Sequence, residues 1–154
     1  MPFTQKTTRI LIVDDDEDDF FITSQLILDI EEGRFHIEWA KQFNEALDLM
    51  CKHSFDIYFV DYRLGIKTGV DLLEQAIAAQ CEEPIILLTG KGNQVIDRLA
   101  MKLGAFDYLV KSELNTEKLE RTIRYALERS SYINAIRKNE RKFRNIFEQS
   151  LDAV

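Results

Sequence analysis

The sequence predicts an α/β fold built on a parallel sheet, and three observations carry that prediction. Short apolar runs alternate with longer amphipathic segments from residue 9 onward, the pattern of repeated strand-helix units. Three of the runs, Ile10-Leu11-Ile12-Val13, Ile57-Tyr58-Phe59-Val60 and Ile85-Ile86-Leu87-Leu88, are continuously apolar, as strands buried on both faces must be. Gly33, Gly65, Gly69, Gly90, Gly92 and Gly104 fall between the periodic segments, where helix ends and tight loops form.

Five repeats follow from these signals. Strands are expected at 9–13, 35–40, 56–60, 84–88 and 106–110, and helices at 17–31, 43–53, 69–80, 93–102 and from 115 onward. The second strand mixes His36, Glu38 and Lys41 with Ile37 and Trp39, so it belongs at an edge. Pro84 opens the fourth strand, where no ladder hydrogen bond is lost. Asn115-Thr116-Glu117 reads as a cap with an acid in the first turn, starting a helix through Leu119, Ile123, Ala126 and Leu127. No breaker follows, so the pattern runs on through Ile133, Ile136, Phe143 and Phe147 for about 35 residues, long for a compact domain. Its apolar positions resemble two stretches of coiled-coil seam with a register change around 133–136. The alternative is one helix folded back on its own domain.

Bulk properties narrow the classes of function. A chain of 154 residues holds one domain with a proper core and a short appendage. A formal net charge of -7 with Lys and Arg spread among acids argues against general nucleic-acid affinity. Cys51 and Cys81 have neither Cys-x-x-Cys spacing nor a nearby His pair, so they read as two reduced, buried thiols. The amino terminus has no basic segment followed by a long apolar stretch, and no run approaches the ~20 residues of a membrane span. A cytoplasmic protein is expected.

Chemistry concentrates at the ends of strands. Asp14 and Asp15 follow the first, Asp61 the third, Thr89 the fourth and Lys111 the fifth. Parallel strands would bring these ends to one edge, where open α/β folds bind ligands. Crowded carboxylates favour a divalent cation, which in turn draws in a phosphoryl group.

The acid pair, Asp, Thr and Lys in that order resemble the receiver domain of two-component response regulators over residues 9–130. The resemblance implies a flavodoxin-like (βα)5 doubly wound sheet of order 2-1-3-4-5, here with an extended C-terminal helix. It implies that Asp61 accepts a phosphoryl group from the phosphohistidine of a histidine kinase or phosphotransfer protein, and that output enzyme activity lies outside this chain. Mg2+ would be held by Asp15, Asp61 and the backbone carbonyl of Arg63, with Asp14 acting through water. Lys111 would offset phosphoryl charge and Thr89 would donate its hydroxyl to it. Thr89 and Tyr108, three residues before Lys111, would form a switch that remodels the surface of the fourth helix, fifth strand and fifth helix.

The chain departs from the family pattern in places. Ser112 stands where receivers carry a proline after the lysine, and the loop Tyr62 to Gly69 lacks its usual proline. Arg63 and Lys91, two residues after Asp61 and Thr89, sit where receivers tune loss of the phosphoryl group and are expected to lengthen its lifetime. Asp16, Glu17, Asp18 and Asp19 read as a solvated helix start; Asp16 is the one further candidate for a metal site and is not counted among the ligands.

Residues 140–154 resemble the opening of a PAS sensor domain, which begins with a helix bearing Phe-Arg-x-Ile-Phe-Glu. The expected organisation is a receiver at 1–130, a helical connector at 131–142 and the start of a PAS-like domain at 143–154, dimerising through the fifth helix and its extension. Two other readings compete. One is a degenerate receiver that serves as a docking or dimerisation module. The other is a haloacid-dehalogenase-type phosphatase, with Asp14 as nucleophile and Asp16 as acid/base; Asp18, where that motif favours Thr or Val, weakens it.

Overall fold

The computed structural model describes residues 6–91 and 94–152; for Phe143 and residues 145–152 the backbone alone is described. Gly92, the expected helix start at 93 and the end of the chain at 153–154 lie outside the described residues, as do the side chains of the PAS-like signature other than Arg144.

Strands β1 (Thr8–Val13), β2 (Phe35–Ala40) and β3 (Ile57–Asp61) are separated by helices α1 (Glu17–Leu28) and α2 (Phe43–Cys51). A two-residue hairpin, β4 (Arg63–Leu64) with β5 (Lys67–Thr68), leads into α3 (Gly69–Ala78), followed by β6 (Ile85–Thr89), α4 (Gln94–Leu103), β7 (Asp107–Val110) and α5 (Thr116–Asp152). The main sheet runs β2-β1-β3-β6-β7, all parallel. This is the doubly wound order expected, with β6 and β7 as fourth and fifth strands, and the mixed-polarity β2 at an edge.

Alternation along the strands makes two cores. Leu11, Val13, Tyr58, Val60 and Leu87 face Ala46, Met50, Leu73, Ala76 and Ala100 of α2, α3 and α4. Ile10, Ile12, Phe59, Ile86, Leu88 and Leu109 face Ile27 of α1 and Leu119, Ile123 and Ala126 of α5. A side-chain period of two sends successive residues to opposite faces, so continuously apolar strands fill both layers.

Helix boundaries moved for a local reason. The helices expected to reach 53 and 80 stop at Cys51 and Ala78, and the left-handed residues beyond them are His53 (φ 54) and Gln80 (φ 66). The stop signal sought in the sequence was glycine, which sits at this position most often but not here. The burial expected for both cysteines is corrected as well. Cys51 is exposed and Cys81 half-buried. Cys51 follows Met50, which is fully buried, and one helical step of about 100° turns it to solvent.

The long helix behaves differently along its length. Asn115 caps it, its Oδ1 accepting the Lys118 N–H at 2.7 Å, and Leu119, Ile123 and Ala126 bury against the sheet. Beyond Ile133 the described side chains are exposed, and Arg137 pairs with Glu82 before β6 at 2.6 Å. Burial against the sheet thus ends with the first turns of α5, while Arg137 in its exposed continuation still reaches the domain.

Candidate functional site

Strand register builds the site. Val13 lies opposite Val60, so Asp14 and Asp61 emerge side by side from the two central strands. Asp61 lies opposite Leu88, which places Thr89 one step further along β6. Thr89 pairs with Val110, and Lys111 follows at once. Carboxylate oxygens of Asp14, Asp15 and Asp61 come within 4.8 Å of one another. A cleft of about 710 Å³ opens over them, its lining including Asp15, Asp19, Asp61, Arg63, Thr89, Lys91 and Lys111.

Asp14 is fully buried and Asp61 only 6% exposed, whereas Asp15 is open to solvent. Burial, reinforced by the negative charge of Asp14, pushes the Asp61 carboxyl up to about 7, although Lys111 and the backbone N–H of Arg63 pull the other way. The Lys111 ammonium contacts Asp14 at 2.9 Å, Asp19 at 2.8 Å and Asp61 at 3.3 Å. Burial disfavours its charge, but hydrogen bonds to Asp19 and Asp14 and the charge of Asp61 prevail and raise its pKa. The Thr89 hydroxyl is buried, 3% exposed as a residue, and has no hydrogen-bond partner among the described residues. An unpaired buried hydroxyl is costly, so this one is suited to an incoming acceptor. Clustered carboxylates with one solvent-facing member fit a hard, oxygen-preferring divalent cation, and Asp14, Asp15 and Asp61 are the described residues able to hold it.

Neighbouring elements fix these groups. Trp39, the one tryptophan of the chain, donates its indole N–H to the Asp14 carbonyl at 2.8 Å and stacks on Phe20 at 4.9 Å. Gly69 donates to the Tyr62 carbonyl at 2.7 Å. A side chain at Gly69 would run into the Asp61 carbonyl and approach Leu87 Cδ1 at 2.8 Å, so only glycine lets α3 start so near the site. Thr68 and Asp71 close a reciprocal cap there, the Thr68 N–H donating to Asp71 Oδ2 at 2.8 Å and the Asp71 N–H to Thr68 Oγ1 at 3.2 Å. The loop after Asp61, which lacks the family's usual proline, is the β4–β5 hairpin turning at Gly65 (φ +70).

Each of the five strand-end residues therefore reaches one edge, and Arg63 and Lys91 line the same cleft. Tyr108 is half-buried, and the Asp97 carboxylate of α4 holds its hydroxyl above the usual range. Lys111–Glu113 forms a 3-10 turn where the family carries proline, and no described peptide bond is cis. Asp16 caps α1, accepting from the N–H groups of Asp18 and Asp19 at 2.8 and 3.1 Å. It is thereby committed to the helix, against the acid/base role a phosphatase would give it. Sequence reasoning missed Asp19, placed among solvated acids. Its spacing of four from Asp15 was the available signal, ambiguous without knowing where Lys111 points.

Strand order and the acids, hydroxyl and ammonium gathered at one sheet edge define the class: a doubly wound α/β signalling domain with an acidic site. The chain belongs to the response regulator receiver domain family, whose profile matches residues 10–124. It is 34% identical over 132 residues to the transcriptional regulatory protein CpxR of Escherichia coli K12, covering 86% of this chain and 54% of CpxR. It spans about half the length of that relative. Among solved structures it is similar to a CheY-like response regulator receiver domain protein from Methanospirillum hungatei, with TM-score 0.71, 27% identity, and 82% of this chain and 98% of that chain covered. The chemotaxis protein CheY4 of Vibrio cholerae matches with TM-score 0.68 and 26% identity over 79% of this chain and 100% of its own. Among the described residues no helix is long and apolar enough to cross a membrane.

Proposed function

We propose that this chain is a phosphorylatable receiver that accepts a phosphoryl group on Asp61 from a histidine kinase or phosphotransfer protein. The observation that carries this reading is the set of four groups around Asp61: two further carboxylates, an ammonium at 3.3 Å and a buried hydroxyl with no partner among the described residues. An Asp61 carboxylate oxygen attacks phosphorus, the P–N bond to the donor imidazole breaks, and that nitrogen keeps the electron pair. Lys111 offsets charge on the transferred oxygens and Thr89 donates to one of them. Such transfer depends on positioning and charge neutralisation more than on proton shuttling. Asp15, Asp61 and the Arg63 carbonyl would hold Mg2+, with Asp14 beyond a water; the ion supplies neutralisation of the crowded acids and of the phosphoryl oxygens.

Arg63 and Lys91 are exposed cations lining the cleft, which supports their shielding the acyl phosphate from water. Movement of Thr89 toward phosphate would let Tyr108 leave Asp97 and change the surface of α4, β7 and α5. The exposed continuation of α5 supports a homodimer that passes this change through a connector at 131–142 toward a PAS-like domain beginning near 143. A cytoplasmic location with no nucleic-acid contact of its own accords with the acidic charge. Acetyl phosphate with Mg2+ should add one phosphoryl mass to the parent and none to Asp61→Asn; equal addition to both rejects the assignment.

A further inference from the structure

We propose that Asp19 is a positioning residue that holds the Lys111 ammonium and competes with the phosphoryl group for it, so that it restrains occupancy of the site. This inference rests on the phosphoacceptor reading above. Asp19 is the third residue of α1, the position from which an acid ordinarily reaches back to the N–H of the capping residue. α3 does this, with Asp71 on the Thr68 N–H. In α1 the N–H of Asp16 is instead taken by Asp14 Oδ1 at 2.9 Å, which leaves the Asp19 carboxylate free to turn away from its own helix. It meets Lys111 Nζ at 2.8 Å, shorter than the 3.3 Å from that nitrogen to Asp61.

The two carboxylates differ in setting. The Asp61 side chain is 8% exposed, while that of Asp19 is 41% exposed at the mouth of the cleft. Lys111 is therefore drawn outward by Asp19 and inward by Asp14 and Asp61. A phosphoryl group on Asp61 needs the same ammonium, and every N–H that Lys111 keeps on Asp19 is one withheld from phosphate. The negative charge of Asp19 also faces an incoming dianion across the cleft that both would share.

The test uses the full chain at saturating Mg2+, with Trp39 fluorescence reporting beryllofluoride binding and intact mass reporting phosphorylation by acetyl phosphate. Asp19→Asn should bind beryllofluoride about five-fold more tightly and take phosphate about five-fold faster, the scale of one half-exposed ion pair. Asp18→Asn removes the same charge from an exposed neighbour for which no contact with Lys111 occurs among the described residues, and should match the parent. Asp19→Asn that matches Asp18→Asn, or that binds more weakly than the parent, overturns the inference while leaving the phosphoacceptor reading intact. A parent that neither binds beryllofluoride nor gains phosphoryl mass overturns both. The cap supplied by Asp16 is untouched by either substitution, and parent-like circular dichroism checks folding.

Discussion

Replacing Asp61 by Asn should stabilise the protein in the absence of divalent cations, even as it removes the proposed phosphoacceptor. Asp61 is almost fully buried beside buried Asp14, and its carboxyl is pushed up from 3.8 to about 7. Between those values the native state holds a proton that the unfolded chain has released, so stability falls as pH rises, and the whole cost is present above pH 7. A rise of that size corresponds to at most about 4 kcal/mol. Asn forfeits the 3.3 Å contact to Lys111, but the ammonium keeps Asp14 and Asp19. The net gain at pH 8 should therefore be about 1–3 kcal/mol, or roughly 3–10 °C in Tm for a chain of this size. At pH 5 Asp61 is already neutral in the native protein, and the gain should shrink toward zero. Differential scanning calorimetry in chelator at the two pH values measures this. An Asn variant no more stable than the parent at pH 8, or equally stabilised at both pH values, refutes the account of Asp61 as a buried, repelled carboxylate.

Three other outcomes are expected. Lys111→Met leaves Asp14 and Asp61 buried without their cation and should cost about 3–5 kcal/mol at pH 8 in chelator, part of it regained at pH 5; urea unfolding checks the size and the pH trend. Gly69→Ala drives a methyl group against the Asp61 carbonyl and Leu87 and should destabilise by about 1–3 kcal/mol, with slower acetyl-phosphate labelling because the end of β3 must shift. Sedimentation equilibrium of the whole chain should give a dimer, and a version ending at residue 130 a monomer; a monomeric whole chain rules out α5 as the dimer interface.

Continuous apolar runs at 10–13, 57–60 and 85–88 marked strands buried on both faces, and their alternation with amphipathic segments made the sheet parallel, with helices covering each side. The position of Asp14, Asp61, Thr89 and Lys111 at strand ends was equally legible, since a strand end is marked by a change of polarity between neighbours in the chain. Cys51 and the helix ends at His53 and Gln80 were misjudged. A one-residue rotation about a helix and a left-handed turn without glycine leave only a faint local mark.

The partner of Asp19 was decided by tertiary structure alone. Its carboxylate meets Lys111 across 92 residues of sequence, and it is free to do so because Asp14 has taken the N–H that capping would otherwise offer. The same holds for Trp39 on Asp14 and for Gly69 against Asp61, contacts set by strand register and helix approach. Local sequence specifies which faces are apolar and where strands stop; which polar group receives a given hydrogen bond depends on competitors brought in from distant segments.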